Sequence, residues 1–260
     1  MGNESDAKLV GALVRGVSIL QCFSHKHQEL SGAELMEMTG LPKPTLFRLA
    51  DTLCELGLLR YSERLSKYVP GLGLLELASP VLARLTLRHY VRSQMQELAD
   101  HMAGQIQLGV GVGRQLVLVE QANSLGSRIF MPEIGVKISL SRTATGRAYL
   151  LSLSETERAS YLAEMAEKDA ERHAWLLERL RDAEQDFQSH GFCRSHGDLH
   201  RELLSIAVPL RHRLDGERWV LSATVPTYNP KSKELENDIG PRLITMVRSI
   251  EGMLGATGLS

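Results

Sequence analysis

The chain has 260 residues, 43% hydrophobic and 23% charged, with 30 Lys and Arg against 31 Asp and Glu and a formal net charge of −1. Such a composition suits a globular protein of one large domain or two modest ones. It excludes a histone-like or polybasic nucleic-acid coat, while leaving room for a local basic patch.

Three cysteines, Cys22, Cys54 and Cys193, are odd in number and widely spaced, so no disulfide scaffold is expected. The polar, acidic start MGNESDAKLV lacks an apolar signal core, and no stretch approaches 18 uncharged apolar residues. Neither a leader nor a membrane span is expected, and a reducing cytoplasm is the default location.

In chain order, residues 1–8 read as a disordered polar tail. Leu9, Leu13, Val14, Val17 and Leu20 then recur at helical spacing up to Phe23, where HKHQE breaks the pattern. Ser31, followed three residues on by Glu34, is a capping box that opens the short helix GAELMEMT, and Gly40 closes it. A third helix runs from Lys43 to about Leu56, with Leu46, Leu49, Leu53 and Leu56 as its expected buried stripe and Gly57 as its end. LLRYSERLSKYV reads as a hairpin with the tip Ser62-Glu63-Arg64. Three helices and a hairpin over residues 9–70, with the paired helices at 31–50, predict a winged helix-turn-helix.

Residues 71–88 are expected to form a linker helix, apolar at Leu74, Leu75, Leu77, Leu82, Leu85 and Leu87 and interrupted by Pro80. Residues 89–258 make the second domain, which the helix HYVRSQMQELADHM opens. From Gln105 the period changes to two: QIQLGVGV and QLVLVEQ are strands around Gly113-Arg114, and SRIFM and residues 137–140 are candidates for more. Helices are expected near Thr145–Leu151, Glu155–Met165 and Ala170–Ser189. The strands LLSIAVPL and RWVLSATV follow, joined at Asp215-Gly216, and a helix closes the chain from Lys233 to about Leu254. The fold class is α+β, without repeats.

The block TGLPKPTLFRLADTLCELGLL, followed by YVPG at 68–71, then GVKISLSRTATGRAYL, GFC at 191–193 and SIAVPL at 205–210, resembles the IclR family of bacterial transcription regulators from about Leu9 to Leu254. The resemblance implies a winged-helix DNA reader joined by a helix to a GAF-like effector-binding domain. It also implies a regulator rather than an enzyme. Pro70 and Pro44 depart from the family pattern; Pro44 suits the first turn of a helix but removes one donor.

In helix-turn-helix proteins the first turn of the second helix reaches base edges in the major groove. Here that turn carries Lys43, Pro44 and Thr45, with Arg48 one turn on. Arg64 and Lys67 on the wing face a neighbouring groove or the backbone. Residues 1–69 hold 8 Lys and Arg against 8 Asp and Glu. Non-specific affinity from phosphate neutralisation is therefore weak, and a homodimer or homotetramer on a pseudo-palindromic operator is expected. The resemblance implies a repressor or an activator.

The expected effector is a small organic acid, aromatic acids included. Thr143, Ala144, Thr145 and Gly146 open a helix whose free N–H groups favour a carboxylate. Gly135 precedes them. Ser205, Ser222 and Thr224 offer hydroxyls, the last two on one strand face. Arg194 and His196 replace an acidic residue common in the family near Ser195, which makes that edge neutral to basic. Leu140, Ile206 and Val220 are candidate apolar walls. Arg142 and Arg147 read as surface or structural groups.

The alternative is a small-molecule-binding protein or an enzyme with a GAF-like domain and a degenerate helix-turn-helix. Its supporting features are weak. GVGVGR at 109–114 is followed by a strand where a dinucleotide loop requires a helix. Cys193 with His196 has no orienting partner for thiol chemistry. Cys193, His196, Asp198 and His200 have zinc-like spacing within one segment but no second ligand pair. No cofactor, metal or catalytic residue is therefore expected.

Overall fold

The computed structural model describes residues 9–24, 26–125, 132–214 and 216–257. The expected tail at 1–8, the candidate strand SRIFM and Asp215 of the hairpin tip lie outside them. The chain divides into two compact units at Leu85/Thr86.

The first unit is built on α1 (Gly11–Gln21), α2 (Gly32–Thr39) and α3 (Lys43–Glu55). Ser31 and Glu34 form the expected reciprocal cap: the Ser31 hydroxyl accepts from the Glu34 N–H, and the Glu34 carboxylate accepts from the Ser31 N–H at 2.7 Å. Donation by the Ser31 N–H, and by the Ser31 hydroxyl, holds the Glu34 carboxyl below the usual carboxylate range. Thr39 ends α2 and Gly40 turns the chain at φ 67°.

On α3 the buried positions are Leu46, Ala50 and Leu53, at helical spacing. The expected stripe differs at two positions: Leu56 is 64% exposed and Leu49 only half-buried, while small Ala50 packs inside. β1 (Leu59–Ser62) and β2 (Lys67–Pro70) pair antiparallel, with Arg60 opposite Val69 and Tyr61 opposite Tyr68. Leu30 exchanges two backbone bonds with Tyr68, so the strand leading into α2 is sewn to the wing. Ile19, Leu30, Leu35, Leu46, Leu59 and Tyr68 close the core.

The predicted linker helix is shorter than 71–88. α4 spans Gly73–Arg84 with Pro80 inside it and no buried residue. A separate helix, α5, starts at Leu87 and runs to Met102.

The second unit centres on a six-stranded antiparallel sheet of β3 (Gln105–Val112), β4 (Gln115–Asn123), β5 (Lys137–Ile138), β6 (Cys193–His196), β7 (Leu203–Pro209) and β8 (Trp219–Pro226). Their order is β5-β4-β3-β8-β7-β6. β6, expected as a strand end before a polar loop, is a full edge strand with Cys193 and Ser195 facing inward.

The closing helix α9 (Gly240–Thr257) begins seven residues later than predicted. Pro230–Glu234 is a 3-10 turn and Leu235–Ile239 a π turn. Asn229 caps the 3-10 turn by accepting from the Lys231 N–H, while its amide donates to the Met102 and Ala103 carbonyls.

Alternation along the strands gives the sheet two different faces. Ile106, Leu108, Leu221, Ala223 and Val225 lie on one, where α5 and α9 pack with Met95, Leu243 and Val247. The other face carries α6 (Ala144–Ser152) and α8 (Ala170–His190), with α7 (Glu155–Lys168) against α8. Ala144, Ala148 and Leu150 meet Leu176, Cys193, Ala207 and Val220 there. A second capping box opens α7. Bonds from the Ser154 N–H and hydroxyl, reinforced by Arg213 and Arg218, hold the Glu157 carboxyl at about 2.

Candidate functional site

Two places collect polar groups in a pattern that packing alone does not require. The first is the turn between α2 and α3. Lys43, Pro44 and Arg48 are exposed and Thr45 is half-buried, so the first turns of α3 present a convex, cationic face. Pro44 occupies the first turn, where a missing N–H breaks no helical bond. Arg64 is exposed at the wing tip. Lys67 is drawn inward, with its ammonium 3.8 Å from the Glu34 carboxylate. Lys67 thus links the wing to α2, while Arg64, like Arg60 on β1, faces solvent.

The second place is a cavity of about 210 Å³ on the α6 side of the sheet. Of the expected effector residues, Thr143, Thr145, Ser205 and Thr224 line it. Thr143 is the N-cap of α6: its hydroxyl accepts from the Gly146 N–H at 2.9 Å and donates to the Ser139 carbonyl at 2.7 Å. Ser205 and Thr224 sit opposite each other on β7 and β8, with their hydroxyl oxygens 2.9 Å apart. Gln105 and Gln107 continue this polar floor onto β3.

The other expected residues are placed elsewhere. Ser222 shares a face with Thr224 but lies one pair further along, between Gln107 and Ala207. It is fully buried, and its hydroxyl has no hydrogen-bond partner among the described residues. Ala144 and Gly146 are buried in the seat of α6, and Gly135 is exposed outside the cavity. Leu140 and Val220 belong to the core, and Ile206 points to the opposite face. The apolar walls are instead Val136, Ile138, Leu199 and Leu203.

The edge expected to be neutral to basic is corrected by Asp198. Gly197, at φ 77°, turns the chain so that Asp198 returns beside Ser195, whose hydroxyl donates to it at 3.1 Å. Asp198 also meets the buried Arg147 guanidinium at 2.8 Å and Arg179 at 3.7 Å. Arg194 is committed to Asp186 and, at 2.8 Å, to Glu236, while His196 faces Glu236 at 3.6 Å. The basic side chains that do reach the cavity are Lys137, Arg142 and His200. Arg142 was read as a surface group; it is exposed, yet it lines the cavity mouth. Arg147 is structural, bonding the Ser141 and Arg194 carbonyls from inside the fold.

The zinc-like and thiol readings lose their geometry. Cys193 is buried under α6, and burial pushes its thiol up to about 12, so no thiolate is available at neutral pH. His196 and His200 are separated from it, His200 toward the cavity and His196 toward Glu236. Among the described residues, no group of three His, Cys, Asp or Glu is placed to hold a metal, and no helix is long and apolar enough to cross a membrane.

A winged helix-turn-helix unit is followed by an α+β unit that carries a cavity, the architecture of a DNA-binding regulator. The chain belongs to the IclR family of transcriptional regulators: residues 12–63 match the IclR helix-turn-helix domain, and residues 79–251 match the C-terminal domain of bacterial IclR regulators. It is 28% identical over 255 residues to the HTH-type transcriptional regulator TsaQ1/TsaQ2 of Comamonas testosteroni, covering 97% of this chain and 91% of that protein. It is also similar to the crystal structure of an IclR-family regulator from Brucella abortus, at 34% identity and a TM-score of 0.84, over 96% and 95% of the two chains. An IclR homologue from Microbacterium hydrocarbonoxydans, solved in complex with 4-hydroxybenzoate, shares the fold at 20% identity and a TM-score of 0.67, over 92% of this chain and 100% of that one.

Proposed function

We propose that this regulator acts in the cytoplasm and that a small organic acid, aromatic acids included, sets its affinity for operator DNA. Residues 9–70 read DNA through Lys43, Thr45, Arg48 and Arg64. Residues 71–88 connect, and residues 89–258 bind the effector and assemble the oligomer. The observation that carries the effector reading is the polarity of the cavity. The start of α6, with Lys137 and Arg142, forms a positive end, while Asp198, its charge matched by Arg147, offers acceptor oxygens at another edge. A carboxylate belongs at the first, and a neutral donor such as a hydroxyl at the second. A volume of about 210 Å³ suits a single ring or a short chain. The relative that carries 4-hydroxybenzoate binds a ligand of that description.

Contact between copies outside residues 89–258 as well is supported by two helical stripes left uncovered among the described residues. Leu13, Val14 and Val17 of α1, and Leu75, Leu77 and Val81 of α4, are all exposed. A second copy would bury them and set two readers on one duplex.

Calorimetry with a panel of carboxylic acids and their amides tests the effector site. An acid of the right size is expected to bind at least tenfold tighter than its amide, because about 1.4 kcal/mol of charge-assisted hydrogen bonding is lost with the charge. The Ser205→Ala/Thr224→Val protein should bind that acid more weakly. Equal affinity for acid and amide, or unchanged affinity in the double variant, would remove this cavity as the effector site.

A further inference from the structure

Phe47 sits on the reading helix but contributes nothing to the core of its unit: the apolar cluster there includes Leu46, Leu49, Ala50 and Leu53 and passes it by. Its ring is engaged on two other sides. One is Gly32, the first residue of α2. A Cβ on Gly32 would come within 2.9 Å of the ring tip, so the ring rests on a patch that only glycine leaves open. The other is Lys43, whose ammonium lies over the ring, 5.9 Å from its centroid.

The spacing explains the second contact. Lys43 and Phe47 are four residues apart on α3, and side chains on a helix lean toward its N-terminus, so the ring covers the turn that carries Lys43 and Pro44. A cation in the first turn is opposed by the helix dipole. An aromatic face close by offsets that repulsion and reduces the arrangements open to the lysine.

We infer that Phe47 is a positioning residue for DNA reading: clamped on Gly32, its ring holds the Lys43 ammonium at the reading turn, so that Lys43 meets DNA already ordered. The inference rests on the proposed contact of Lys43 with DNA. Phe47 need not touch DNA for this. Its substitution should lower affinity through Lys43 alone.

A double-mutant cycle on the full-length protein separates the possibilities. The probe is a duplex enriched from a random-sequence pool by the wild-type protein, and binding is read by fluorescence anisotropy across a salt series. Phe47→Leu keeps an apolar side chain and removes the ring. It is expected to weaken binding about 2- to 5-fold in the wild-type background and to add no further loss in Lys43→Ala. The slope of log affinity against log salt should fall by about two in Lys43→Ala, one contact from each of two readers, and stay unchanged in Phe47→Leu, since no phosphate contact is removed. Equal losses from Phe47→Leu in both backgrounds would overturn the inference and make Phe47 an independent contact or a packing residue. No loss from Phe47→Leu would overturn it as well. Unaltered binding by Lys43→Ala would instead remove the reading of Lys43, and this inference with it. Circular-dichroism melts of each variant identify any loss that comes from unfolding.

Discussion

Arg48→Ala is expected to fold normally and to lose operator binding by on the order of 100-fold or more. The side chain is exposed one turn into α3, on the same side as the Lys43–Thr45 turn and away from the buried stripe of Leu46, Ala50 and Leu53. Removing it leaves no cavity and no unpaired buried group, so the melting temperature should stay close to that of the wild type. A bidentate arginine contact with a guanine is worth about 1–3 kcal/mol, and a dimer makes the contact twice. The combined loss of about 2–6 kcal/mol corresponds to a factor between roughly 30 and 25,000. Thr45→Ala, which removes a smaller contact, should cost about 1–3 kcal/mol if it reads a base. Gel-shift titration of the folded variants checks both. Wild-type retention by a well-folded Arg48→Ala protein would displace α3 from the major groove.

The largest expected effect on stability belongs to Gly146→Ala. Gly146 lies in the first turn of α6, where the helix presses on the backbone of residues 139–140. A Cβ built there would overlap the Ser139 carbonyl oxygen and the Leu140 backbone. Backbone cannot swing aside as the end of a side chain can, so α6 would have to lift from the sheet. That would disturb both the seat of Ala144 and Ala148 and the anion-favouring helix start at the cavity. Overpacking of this kind costs about 1–3 kcal/mol, and the upper end is expected here. For a unit of this size about 3 kcal/mol lowers the melting temperature by roughly 6–12 °C. Gly252→Ala on α9 is the control: a Cβ there meets nothing within 4 Å, and alanine favours a helix, so this variant should melt no lower than the wild type. Differential scanning calorimetry decides between the two. A Gly146→Ala protein that melts with the wild type would mean that α6 is not seated as described.

Much of the fold was legible in local chemistry. Ser31 with Glu34, Gly40 and the proline at position 44 mark helix ends through hydrogen bonds and φ preferences that reach only three or four residues, so sequence alone locates them. The alternation that puts Ser222 and Thr224 on one face was equally readable. Which of the two meets the cavity was not: Ser222 is fully buried and Thr224 lines the cavity, a difference set by long-range packing on that face. Asp198 was missed for a similar reason. Its value to the site comes from the left-handed turn at Gly197 and from Arg147, 51 positions earlier in the chain. Long-range pairing of this kind leaves no periodic mark. The closing helix was misplaced because Leu235, Ile239, Leu243 and Val247 keep a helical spacing straight through the π turn, so hydrophobic pattern alone cannot show where the α geometry begins.

The central claim is that an acid bound in the cavity changes how the reader holds DNA. A ligand can do this only through different affinities for two arrangements of the protein, and the coupling must then appear in both binding equilibria. The most direct measurement is a footprint of the full-length protein on its selected operator, titrated with and without a saturating concentration of an acid that calorimetry has identified. The account predicts protection of two half-sites about one helical turn apart, with the half-protection concentration shifted at least about 5-fold by the acid. It also predicts that the shift is absent with the amide. A single protected half-site, or a footprint indifferent to every acid that binds, would contradict it.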